Sequence, residues 1–107
     1  MARQEKSEYL NIEIDKIIHE PARLKILAQL YVVDKADFLF VMRQTGMTQG
    51  NVSGHLSKLD QAGYVKVKKG FLGKRPQTML SMTSKGRDAF KTYIHSMREL
   101  FDGIADW

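Results

Sequence analysis

The sequence predicts a mainly α-helical domain with a small β-hairpin, on the strength of three observations. Apolar residues recur at helical spacing in most of the chain, the stretch over residues 65–82 switches to a period of two, and only Gly46 and Met47 separate two of the helices. Helical spacing marks one face of a 3.6-residue turn, whereas alternation marks a half-buried strand. So short a connection favours crossed helices over an antiparallel stack.

The elements follow in order. Leu10, Ile14, Ile17 and Ile18 fall on one side of a first helix expected over residues 10–19. Pro21 cannot continue it but suits the first turn of a second helix, 21–33, in which Leu24, Leu27, Ala28 and Tyr31 form a stripe that Ile26 and Leu30 widen. The residues from Asp34 to Asp37 read as a polar connection. Asp37 can cap a third helix over 38–45 that Gly46 ends, and Thr48 can cap a fourth running to Ala62, with Gly63 as its stop. Val65 and Val67 alternate with Lys66 and Lys68, residues 70–76 read as a loop, and residues 78–82 alternate again. Thr83 caps a last helix over 84–102, roughly 28 Å long.

A chain of 107 residues supports one hydrophobic core, so a single domain over 1–107 is expected, with a core from about 21 to 83. With 43% apolar and 27% charged residues the composition is that of an ordinary globular protein, which excludes collagen-like and wholly disordered chains. Cysteine is absent, excluding disulfide scaffolds, thiolate nucleophiles and cysteine-ligated metals. The longest apolar run, residues 38–42, is far below the ~20 needed to cross a bilayer, and the opening MARQEKSEY lacks the apolar stretch of a secretory signal. A cytoplasmic protein with no membrane partner is the expectation.

Charge is unevenly distributed. The net charge is +5, and the segment 43–75 carries seven basic residues against the single acid Asp60, so the rest of the chain is close to neutral. One basic face invites a polyanion; a solvated lysine-rich hairpin is the alternative. In the fourth helix Val52, Leu56 and Leu59 lie within about 40° of one another and define its buried stripe. The opposite side carries Gly50, Gly54, Ser57, Lys58 and Gln61, flanked by Asn51 and Ser53. Each helical glycine costs about 1 kcal/mol relative to alanine, so something must gain from the missing side chains. That gain could be close approach of a phosphate backbone, or close packing of the preceding helix.

The residues themselves are familiar: HEPARLKIL at 19–27, TQGNVSGHLSKL at 48–59 running on to AGYV at 62–65, then TSKGR at 83–87. The chain resembles the small winged helix-turn-helix transcriptional regulators near the ArsR and MarR families over about residues 18–87. The resemblance implies a winged helix with extra N- and C-terminal helices, a fourth helix that enters the DNA major groove, a hairpin that serves as the wing, and terminal helices that dimerise.

On the residues' own chemistry, Gln49 and Asn51 can bond adenine edges in a bidentate manner. Ser53, Ser57 and Lys58 suit phosphates, as do Lys68, Lys69, Lys74 and Arg75 on the hairpin, Arg75 being best suited to the minor groove, and Thr48, Gly50 and Gly54 complete the expected DNA-binding set. His55 reads as a semi-buried packing residue. Ile14, Ile17, Phe90, Tyr93, Ile94, Met97 and Phe101 exceed what so small a core can cover, which points either to a homodimer with recognition helices about 34 Å apart or to an intramolecular pair of terminal helices. The expected partners are double-stranded DNA and a second copy, with room for a small effector at the dimer interface. No cofactor or metal is expected, since His19, His55 and His95 are scattered and the cysteines of metal-sensing ArsR relatives are missing. No catalytic constellation stands out, so the chain is not expected to be an enzyme. A repressor is the leading reading, and a winged-helix module that docks a protein, or a structured-RNA binder, are the competing ones.

Overall fold

The first regular helix begins where proline sets it. Pro21 has no amide hydrogen to leave unpaired and opens α1 (Pro21–Val33). The residue before a proline is pushed out of the helical region. Glu20 accordingly sits extended at φ −145°, ψ 133°, and its carboxylate accepts from Arg23 N at 2.8 Å. The structure, a computed structural model, describes residues 10–105.

The helix expected over 10–19 does not form; a short turn at residues 10–11 is the only helical piece before α1 in the described chain. Asp15 explains the difference. Its Oδ1 accepts from the amides of Ile17 at 2.8 Å and Ile18 at 3.2 Å, a local turn that competes with a helical ladder. Arg23 Nε then donates to Ile17 O at 2.6 Å and fixes the entry to α1. The apolar spacing there reports burial without helix: Ile18 is fully buried, and Ile14 and Ile17 pack against the core. In α1 the buried residues are Ile26, Leu27 and Leu30, while Leu24 and Tyr31 are half-buried and Ala28 is exposed.

Asp34 ends α1 with φ 72°, a conformation L side chains rarely adopt. Arg87, far along the chain, donates to the Asp34 carboxylate and to Tyr31 O, and stacks its guanidinium 4.8 Å from the centre of the Tyr31 ring. The polar connection expected after it is instead a strand, β1 (Lys35–Asp37). Its side chains give no readable alternation over three residues, but Ala36 is buried opposite Leu80. Asp37 then caps α2 (Phe38–Thr45), accepting from Leu39 N at 2.6 Å, and Gly46 closes it at φ 69°. Thr48 caps α3 (Gln49–Gln61), accepting from Asn51 N at 3.2 Å.

Strands β2 (Val65–Leu72) and β3 (Arg75–Met82) complete an antiparallel sheet of order β1-β3-β2. The loop expected over 70–76 shrinks to the Gly73-Lys74 turn, because cross-strand pairing persists through Gly70 with Gln77, Phe71 with Pro76 and Leu72 with Arg75. Pro76 is tolerated in β3 because β1 pairs only with residues 79–81, so β3 is an edge strand on that side at the proline. Thr83 caps α4 (Ser84–Ile104) by accepting from Gly86 N at 2.9 Å, and its hydroxyl donates to Gly63 O. This seats α4 directly on the end of α3. A Cβ on Gly86 would lie 2.1 Å from Tyr64 O, so only glycine permits the approach. Val52, Leu56 and Leu59 of α3 pack with Leu27, Leu30, Val41, Val65 and Leu80 in one core, as the sequence spacing predicts for α3.

Candidate nucleic-acid interface

Burying Val52, Leu56 and Leu59 turns the other side of α3 outward as a consequence of helical geometry. Thr48, Gln49, Gly50, Asn51, Ser53, Gly54, Ser57 and Lys58 are all exposed. The first amides of α3 lack intrahelical partners, so the helix presents backbone donors and the positive end of its dipole at the same end as Gln49 and Asn51. A Cβ placed on Gly50 or on Gly54 would meet no heavy atom within 4 Å. Close packing of α2 therefore does not account for these glycines; the face they leave flat is open to solvent.

His55 leaves this face and packs back against the chain. Its Nδ1 lies 3.2 Å from Arg23 Nη1 and 3.8 Å from Glu20 Oε1. Since arginine can only donate, Nδ1 is the unprotonated nitrogen of this pair. Burial would raise the Glu20 carboxyl, but the amides of Arg23 and Ala22 and the Arg23 charge outweigh it and hold it below its ordinary value. Arg23 thus ties the turn before α1 to the middle of α3, a positioning role that the sequence did not disclose because the partners are 32 residues apart.

The sheet supplies the basic part of the surface, divided between its two faces. Gln49, Ser53, Ser57 and Asp60 of α3 line one open cleft with Lys69 and Thr78. Lys68 lines a different concavity with Lys35, Lys66, Met79 and Ser81. Neighbours in a strand point to opposite faces, so Lys69 faces α3 while Lys68 points away from it, and Arg75, paired with Leu72, lies on the Lys68 face. Lys74 sits in the turn, and Arg75 pairs with Leu72 beside it. All four basic side chains are exposed.

The residues expected to be surplus to the core divide as well. Phe90 and Tyr93 are 5% and 7% exposed, covered within the chain itself, with Tyr31 against Phe90 at 5.2 Å between ring centres and His19 Nδ1 2.9 Å from the Tyr93 hydroxyl. These two present no spare surface. Ile14, Ile17, Ile94 and Met97 are partly buried, and Phe101 is 56% exposed near the end of α4 with Ile104. Among the described residues no group of three or more His, Asp or Glu side chains could hold a metal ion, and no helix is long and apolar enough to cross a membrane.

Two helices joined by a short turn, the second exposing a flat polar face, followed by a basic two-stranded hairpin, make up the helix-turn-helix and wing. Residues 22–101 match the winged helix DNA-binding domain family. The chain belongs to that family. An uncharacterized protein of Methanocaldococcus jannaschii is 38% identical to this winged-helix protein over 89 residues, covering 83% of this chain and 97% of the relative. The solved transcriptional regulator homologue from Pyrococcus horikoshii OT3 superposes with a TM-score of 0.80 at 29% identity, covering 94% of this chain and 97% of that one. Overoxidized AbfR, solved bound to DNA, shares the fold at 15% identity with a TM-score of 0.68, over 89% of this chain and 69% of its own. The chain thus carries a winged helix DNA-binding domain, and its fold is similar to that of solved transcriptional regulators.

Proposed function

We propose that this winged-helix protein is a homodimeric, sequence-specific repressor that acts on double-stranded DNA in the cytoplasm. The observation that carries the reading is the outward face of α3: short polar side chains around two glycines with open space above both. Such a face lets a major groove approach the helix backbone closely, while Gln49 and Asn51 at its first turn reach base edges. Ser53, Ser57 and Lys58 hold phosphates, as do Lys69 from the α3-facing side of the wing and Lys74 from its turn, fixing register without reading sequence, while Arg75 beside the turn suits the minor groove. Repression then requires only that a bound dimer occupy its site.

Dimerisation is supported by shape. The Cα radius of gyration is 16.9 Å, against about 13 Å for a compact chain of this length. The exposed apolar residues at the end of α4, Phe101 and Ile104, extend the partly buried Ile94 and Met97, and a second copy would cover them. A cleft between Ile14 and Asp15 on one side and Ala89, Thr92 and Tyr93 of α4 on the other lies beside that surface and offers a place for a small effector.

The test is selection of bound fragments from random duplex DNA, followed by titration of the selected sequence. Asn51→Ala should relax base preference at one position in each half-site by about 1–3 kcal/mol. Failure to enrich any sequence would refute sequence-specific binding.

A further inference from the structure

The wing ends in an apolar blade. Phe71 is 74% exposed and Leu72 is 65% exposed, an aromatic and an aliphatic side chain left in water at adjacent positions of β2. Adjacent strand residues point to opposite faces. Phe71 therefore pairs with Pro76 on one face of the ribbon, and Leu72 pairs with Arg75 on the other, immediately before the Gly73-Lys74 turn. The tip is thus apolar on both faces and flanked by the cations Lys69, Lys74 and Arg75. The hairpin pairs without interruption up to the turn, so these side chains are held on a paired scaffold. Neither packs against the hydrophobic core.

We propose that Phe71 and Leu72 form a wedge that enters the DNA minor groove beside each α3 site, pries a base step apart and bends the duplex. The inference rests on the DNA-binding reading above and deepens it. Charge decides the occupant: an apolar tip ringed by cations matches a narrow groove walled by phosphates, and Phe71, on the Lys69 face, continues the surface begun by α3. Minor-groove proteins kink DNA by inserting apolar side chains between base steps, partly unstacking them and turning the helix away by roughly 20–90°. The minor groove is only about 6 Å wide, so the tip alone enters, where the ribbon has narrowed to two residues. Flexible pyrimidine–purine steps would unstack most easily, which gives these two side chains a part in choosing sites they read only by deformability.

The experiment uses the full chain and a duplex selected from random-sequence DNA, labelled at both ends for energy transfer, with affinity measured in parallel by anisotropy. The wild-type protein should shorten the end-to-end distance by an amount equivalent to a bend of at least about 20°. The double substitution Phe71→Ala, Leu72→Ala should abolish most of that bend while weakening binding less than about tenfold, because the unstacking cost disappears along with the contact. Its salt dependence should match the wild type, since no charge is removed. Phe71→Leu, which keeps an apolar wedge, should retain the bend. A straight wild-type complex, or a double variant that bends DNA as the wild type does, overturns the wedge and leaves DNA binding intact. A wild-type protein that binds no duplex overturns the functional reading beneath it.

Discussion

Replacing Gly54 with alanine separates what α3 needs for folding from what it needs for function. A Cβ at Gly54 meets nothing within 4 Å in the free protein, so the substitution adds no clash. Alanine in a helix interior is favoured over glycine by about 1 kcal/mol, mostly because the unfolded chain loses less freedom on folding. For a domain of this size that raises the melting temperature by roughly 4–8 °C. On DNA the sign reverses. If the groove wall presses against this face, the added methyl group overpacks the contact at a cost of about 1–3 kcal/mol, or roughly 5- to 150-fold in affinity. Thermal unfolding by circular dichroism and anisotropy titration on the selected duplex measure the two effects on the same sample. A variant that is more stable and binds as tightly as the wild type would refute the claim that this face is kept flat for DNA. A variant with a lowered melting temperature would show that Gly54 is packed after all.

Four further outcomes follow from the same geometry. Gly86→Ala should destabilise by about 1–3 kcal/mol despite its better helix propensity, because the new Cβ meets Tyr64 backbone atoms that cannot move aside, and a thermal melt reads the loss. Lys69→Ala and Lys74→Ala should each flatten the slope of log affinity against log salt by about 0.9, whereas Lys68→Ala, on the other face of the sheet, should leave it near the wild-type value. Asp37 is held below its ordinary 3.8, chiefly by the Gln77 side chain that donates to it, so its contribution to stability is present above that value and fades as pH falls through the lower folded value; Asp37→Asn should flatten the acid limb of a stability–pH curve. Burial, with the hydrogen bond to Asp15, pushes the Tyr64 hydroxyl up to about 12, so in an absorbance titration its ionisation should lag the ordinary 10.0, and Tyr64→Phe should remove that late phase.

What could be read in the sequence was what local chemistry decides. Thr48, Gly46, Asp37 and Thr83 mark helix ends through bonds to residues two to four positions away, and each serves as a cap or stop in the structure. The α3 stripe was legible for the same reason, since helical geometry alone assigns Val52, Leu56 and Leu59 to one side. The misreadings lie where distant partners or side-chain competition intervene. Asp15 diverts two amides from a helix that the spacing of Ile14, Ile17 and Ile18 otherwise suits. Strand β1 exists because β3 lies alongside it and because Arg87 holds Asp34 in a left-handed turn, neither of which a three-residue segment announces.

The candidate site followed the same division. The neutral face of α3 was visible, but whether its glycines served packing or approach required knowing where α2 lies. The separation of Lys68 from Lys69 was available from strand alternation and was overlooked by treating the hairpin's cations as one group. Phe71 and Leu72 escaped notice because residues 70–76 read as a loop, in which exposed apolar side chains have no direction. Pairing up to Leu72 gives them one.

Hydroxyl-radical footprinting of the full chain on its selected duplex tests the central claim most directly. The account predicts two protected patches on one face of the double helix, separated by about one helical turn, roughly 34 Å, each flanked by protection in the adjoining minor groove. A single patch, or uniform cleavage at protein concentrations that saturate binding, would contradict it.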